Sequence, residues 1–153
     1  MLVSIADYFT ACFLPQPPLL RGQVHRPMSE SEFTEACECM LMQAERHRCP
    51  YWLLDSRRDA HVRMPDVYDW LTDEFLPRVR TALGQAPCIA CVAPASFWHE
   101  LQAAAPLPLA NPDVAYRARA FTTEADARQW LQWVGPAATR PAPTAYQSWH
   151  IGN

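Results

Sequence analysis

Two short runs decide which architectures are open to this chain. Tyr51-Trp52-Leu53-Leu54 and Cys88-Ile89-Ala90-Cys91-Val92-Ala93 hold no charged side chain, so a strand made from either buries both of its faces. Such strands need helices above and below the sheet. Helical patterns do lie between and around the two runs. Alternation of this kind means a mostly parallel sheet joined by right-handed crossovers.

Tyr8 to Leu14 reads as a first strand and Leu19 to His25 as a second. The Pro15-Gln16-Pro17-Pro18 turn between them is short enough to pair them antiparallel. Ser29 starts a helix, with Glu32 closing a capping box. Phe33, Ala36, Cys37, Met40, Leu41 and Ala44 follow as one apolar stripe. Glu30, Glu32 and Glu35 come early and Arg46 and Arg48 late, as the macrodipole prefers. Pro65 opens a second helix, whose inward face is Val67, Trp70, Leu71 and Phe75. Pro77 kinks or restarts it, because proline removes a backbone donor. Phe97 to Ala104 is a short helix and Pro106 to Pro112 an irregular connection. Val114 to Phe121 is a last strand, with Arg117 and Arg119 on one face as suits a protected edge. Thr122 or Thr123 caps a final helix with Ala127, Trp130, Leu131 and Val134 inward, stopped by Gly135-Pro136.

The predicted order is β-β-α-β-α-β-α-β-α. It gives an α/β domain over residues 1–135, with a five-stranded, mostly parallel sheet, an antiparallel first strand and helices on both faces. Residues 136–153 form a Pro/Ala-rich C-terminal tail, in which Tyr146, Trp149 and Ile151 are candidate anchors for a homodimer.

Composition narrows the function. A net charge of −3 gives no electrostatic footprint for nucleic acid. Four glycines leave no glycine-rich phosphate loop. No apolar run approaches the ~18–20 residues that span a bilayer, so no transmembrane segment is expected. Met1 to Asp7 lacks the basic start of a secretory signal. Six cysteines without such a signal point to a reducing cytoplasm. No cofactor motif is present.

His99-Glu100 suggests a zinc-protease helix, but Ala103 stands where the second histidine belongs. Cys88 and Cys91 lie three apart in a strand and point to opposite faces. Cys37 and Cys39 diverge by roughly 200° on a helix, which places Cys37 on the apolar stripe and leaves Cys39 exposed and reactive. No metal site remains. Ser56 and His61 with Asp55 or Asp59 would supply the residue types of a hydrolytic triad, but the nucleophile-elbow sequence is missing. No catalytic residue is assigned.

The loop after Asp55 is the candidate binding site. Open parallel sheets bind ligands outside the carboxyl ends of their strands, and a helix start beside the loop favours anions. Asp55, Ser56, Arg57, Arg58, His61 and Arg63 gather there. They form either a site for an anionic ligand or acidic partner, or a solvated loop whose arginines pair with Asp59 and Asp66. Trp70, Phe97 and Trp98 are candidates for an apolar pocket among the helices.

Four stretches carry a family resemblance. They are Tyr51-Trp52-Leu53-Leu54-Asp55-Ser56-Arg57, Asp69-Trp70-Leu71 through Phe75-Leu76-Pro77, Cys88 to Pro94, and Phe121 through Glu124 to Trp130-Leu131. In this order and spacing, over about residues 8–134, the chain resembles the SpoIIAA-like (STAS-like) domains, in particular the small bacterial STAS/SEC14-type proteins. The resemblance implies a βα superhelical fold and a non-enzymatic regulatory or protein-interaction role. Members that antagonise anti-sigma factors carry a phosphorylatable serine followed by serine and glycine. Here Asp55-Ser56 runs into Arg57-Arg58 without a glycine, a departure from that pattern. A protein that binds a small apolar or anionic, lipid-like ligand is the second expectation. A hydrolase using the 55–63 loop ranks last.

Overall fold

The computed structural model describes residues 2–104 and 116–135. Six strands form one sheet in sequence order. Strand β1 (Leu2–Ile5) is an addition to the five expected. Val3 and Ile5 pack against the core while Leu2 and Ser4 stay exposed. Strands β2 (Phe9–Pro15) and β3 (Pro18–Val24) form the predicted hairpin, with Pro15 opposite Pro18 and Gln16-Pro17 as its loop. β2 runs against both of its neighbours. From β3 onward, β4 (Tyr51–Asp55), β5 (Cys88–Val92) and β6 (Arg117–Phe121) are all parallel. The sheet is mixed and mostly parallel, as expected. The start of the last strand at Val114, the connection Pro106 to Pro112 and the tail with Tyr146, Trp149 and Ile151 lie outside the described residues.

Right-handed crossovers between parallel strands laid down side by side put every connecting helix on one face. That face carries α1 (Glu30–His47), α2 (Pro65–Trp70), α3 (Leu76–Leu83) and α4 (Ala95–Ala104). Helix α5 (Glu124–Val134) follows the last strand and folds back over the other face, across β4, β5 and β6. The strand pleat sorts side chains between two cores. Leu20, Trp52, Ile89 and Ala118 pack under α1 and α3, while Leu53, Ala90, Val92 and Phe121 pack under Trp130 and Leu131 of α5.

Helix α1 begins at the predicted capping box. The Glu32 amide donates to Ser29 Oγ at 3.2 Å, and the Ser29 amide donates to Glu32 Oε1 at 2.9 Å. Arg26 then grips Glu32 and Asp7 together. The arc that α1 buries is broader than its apolar stripe: α1 packs on β2 and β3, meets α3 at Glu38, and is reached on its other flank by Tyr8, whose hydroxyl donates to Glu35. Cys39 and Gln43 are enclosed along with Ala36, Met40 and Ala44, so Cys39 is not the exposed thiol that helical phase suggests. Gly22 on β3 lets α1 sit close. A Cβ there would meet Phe9 Cζ at 2.8 Å and both Leu54 Cδ2 and Met40 Sδ at 2.9 Å.

Pro77 acts on the turn before it. It has no amide for the Asp73 carbonyl, and its ring would strike that oxygen in a regular helix. The chain answers with one π turn, Leu71–Phe75, between α2 and α3. The Leu76 amide reaches back to the Leu71 carbonyl, five residues away, and the helix continues through Pro77 without a break.

Candidate functional site

The loop that leaves β4 is split by the pleat of its own strand. Asp55 faces the α5 side of the sheet, and Ser56 faces the α1–α4 side. The Ser56 amide donates to the Val92 carbonyl at 2.9 Å and the Asp59 amide to the Ser56 carbonyl at 3.1 Å, which fixes the turn.

On the α5 side, Asp55 is buried and saturated with donors. Arg57 forks onto it, Nε to Oδ1 at 2.9 Å and Nη2 to Oδ2 at 2.7 Å, and the Arg57 amide adds a third bond at 3.2 Å. Arg21 bridges Asp55 to Glu124 at the start of α5, and Glu124 also accepts from Arg128. Burial alone would raise the Asp55 carboxyl, but the Arg57 and Arg21 guanidiniums hold it below the usual carboxylate range. The Arg21 hydrogen bond likewise leads in lowering Glu124. This cluster is closed on itself. Arg58 is exposed and makes no ion pair among the described residues.

On the other side the loop turns inward over a cavity of about 150 Å³. Its wall is almost wholly apolar. Phe33, Cys37 and Met40 of α1, Trp52 of β4 and Ile89 and Cys91 of β5 contribute, with Leu71 and Phe75 of the π turn opposite. Phe97 and Trp98 of α4 also line it, but Trp70 does not. Trp70 instead stacks on Phe75, ring centroids 5.2 Å apart. Trp98 is anchored by its indole Nε1, which donates to the Ala93 and Phe121 carbonyls at 3.1 Å each.

Polar groups stand at one end of this cavity: Ser56, Asp59, His61 and Arg63. The Asp59 and Arg63 side chains are 2% and 5% exposed and form an ion pair through Asp59 Oδ2. The Met28 amide donates to the same oxygen at 3.2 Å. Arg63 also donates from Nη1 to the Met28 carbonyl at 3.2 Å and lies over the Phe33 ring, 4.4 Å from its centroid. The Tyr68 hydroxyl accepts from the Arg63 amide at 3.0 Å. His61 Nδ1 lies 2.5 Å from Asp59 Oδ1, within ion-pair reach. No other described group donates to Oδ1, which is buried.

Two thiols complete the wall. Cys37 and Cys91 are packed round by protein yet keep accessible surface, and that surface faces the cavity. Burial pushes both up to about 12, so they stay protonated and apolar at neutral pH. Cys88 sits on the opposite face of β5, as the strand period requires.

The structure therefore gathers Ser56, His61 and Arg63 with Phe97 and Trp98 at one cavity. It sends Asp55 and Arg57 to the opposite face and leaves Arg58 in solvent. Asp59, the hub of the polar end, is offered by the sequence as a carboxylate partner for the arginines of its own loop, and it does pair with Arg63. Cys37, Met40, Trp52 and the π-turn residues carry no such signal, since only the packed helices create the space between them. Asp59 and His61 meet as two members of a triad would, but among the described residues no hydrogen bond joins Ser56 to His61. Among the described residues, no three His, Cys, Asp or Glu side chains converge as a metal site. No helix among them is long and apolar enough to cross a membrane. No protein-family model, curated protein or solved structure matches this chain.

Proposed function

We propose that this chain is a small-ligand-binding domain of STAS-like type, and that binding is a regulatory input rather than a step of catalysis. One observation carries the reading. An apolar cavity of about 150 Å³ is closed at one end by a buried ion pair. A dry apolar cavity of roughly this size accepts a benzene-sized guest. Drug-sized ligands need about 300 Å³ or more, so the occupant is a single ring or a short chain. The βα order and the four resembling stretches support a regulatory domain. The closed Asp55–Arg57–Arg21–Glu124 cluster argues against an anion site on the α5 side, because its arginines are already matched by carboxylates. Six unpaired thiols fit a reducing compartment such as the cytoplasm.

Native mass spectrometry of the purified chain tests this directly. The expected result is a bound molecule of ring or short-chain size that Cys37→Leu, which fills the cavity, displaces without unfolding the protein. A chain that carries nothing, and whose thermal midpoint no apolar compound of that size raises, overturns the proposal.

A further inference from the structure

Resting on that cavity as a ligand site, we infer the chemistry of the ligand's polar end. It is a neutral hydrogen-bond donor, a hydroxyl or an arylamine, that seats on Asp59 Oδ1 in place of the His61 ring.

The polar end of the cavity offers the Asp59 carboxylate as its one charged acceptor, with the Ser56 hydroxyl beside it. Arg63 is 5% exposed, and its guanidinium is committed to Asp59 Oδ2, to the Met28 carbonyl and to the face of Phe33. An anionic head could win Arg63 only by leaving the Asp59 carboxylate buried without its cation, which is strongly unfavourable. A cationic head would stand beside Arg63 on a carboxylate that Arg63 already neutralises. A wholly apolar ligand that displaced the His61 ring would take its contact from Oδ1 and supply no donor in return.

A neutral donor escapes all three penalties. Asp59 Oδ2 takes Arg63 and the Met28 amide, while Oδ1 is enclosed and has the His61 ring as its one described partner. The group nearest Oδ1 is His61, whose side chain is 51% exposed and held by no other described contact. Its ring can turn outward into solvent at small cost. Ligand hydroxyl and histidine therefore compete for one oxygen, and the histidine closes the empty site. Size fixes the rest of the molecule. A ring carrying one hydroxyl or amino group fits about 150 Å³ and can place its donor at the Asp59 end.

Calorimetric titration of the full chain with toluene, phenol and benzoate, matched in ring, separates the possibilities. Phenol is expected to bind at least about tenfold more tightly than toluene, the value of one hydrogen bond to a buried charged acceptor, and benzoate more weakly than phenol. His61→Ala removes the competitor, so it raises phenol affinity and leaves toluene unchanged. Asp59→Asn should erase the preference for phenol. Should its unpaired Arg63 prevent folding, His61→Ala carries the test, since its exposed ring is not needed for packing. Equal affinity for toluene and phenol in both the parent and His61→Ala overturns the donor assignment and leaves the cavity as an apolar site. Tightest binding of benzoate overturns it too, by showing that Arg63 can be recruited. Failure of all three compounds to bind removes the ligand site itself.

Discussion

A single helical step separates the thiol that sequence phase exposes from the one that is enclosed. Cys39 lies about 100° from Met40, off the apolar stripe, yet it is only 4% exposed; it sits one turn after Glu35, on the flank of α1 that Tyr8 reaches with its hydroxyl, while α3 meets α1 at Glu38. Burial raises the Cys39, Cys49 and Cys88 thiols as well as the cavity pair. Cys12 differs. It lies half-buried on β2, on the sheet face that α5 leaves uncovered. Alkylation of the native chain with iodoacetamide should therefore modify Cys12 first, and the other five only as the protein unfolds. Peptide mass spectrometry reads the order, and early modification of Cys39 would show that the flank of α1 held by the Tyr8–Glu35 hydrogen bond opens in solution. A ring-sized ligand should slow Cys37 and Cys91 further without changing Cys12.

Elements whose signals are local could be read from the sequence, and those created by packing could not. Helix α1 announces itself through Ser29, Glu32 and a long apolar stripe, and β4 and β5 through runs apolar on both faces. β1 escapes because four residues, two of them outward, make too short an alternation to stand out. The π turn escapes because Pro77 signals a disturbance but not its form. The candidate site was legible in the same measure. Its polar residues fall in the expected loop, but the period of two that puts Asp55 and Ser56 on opposite faces divides that loop between two cores. Two substitutions test these elements. Ser29→Ala should cost about 1 kcal/mol in chemical denaturation, the usual worth of an N-cap, and an unchanged midpoint would mean that Arg26 holds the helix start alone. Gly22→Ala should cost about 1–3 kcal/mol through overpacking, unless Phe9, Leu54 and Met40 yield into the cavity, all three of which line it. In that case the loss appears in ligand affinity instead.

At the scale of the whole molecule, one sheet separates two cores, and each is sealed at the carboxyl ends of the strands by a different ion cluster. The Asp55 and Glu124 carboxyls are held low on the α5 side. Their contribution is present above the ordinary carboxylate range and is lost as pH falls through it. The other core sets the alkaline limit. The Cys37 and Cys91 thiols stay protonated in the fold up to about 12, against 9.0 for an ordinary thiol. Tyr8 is likewise raised from 10.0 to about 12 by burial and by its 2.6 Å hydrogen bond to Glu35. Between the ordinary and the raised values the folded chain holds more protons than the unfolded one, so stability falls as pH rises. The loss should begin near pH 9 and steepen once the Tyr8 phenol of the unfolded chain also ionises. Urea midpoints measured at about pH 7, 9 and 10.5 trace this slope in the parent and in Cys37→Leu. The variant has one fewer buried proton to surrender on unfolding, so its midpoint should fall less between about pH 9 and 10.5. Parallel slopes would mean that Cys37 meets solvent through the cavity mouth and titrates as an ordinary thiol. The cavity would then be wet, and a dry apolar ring would no longer be its natural guest.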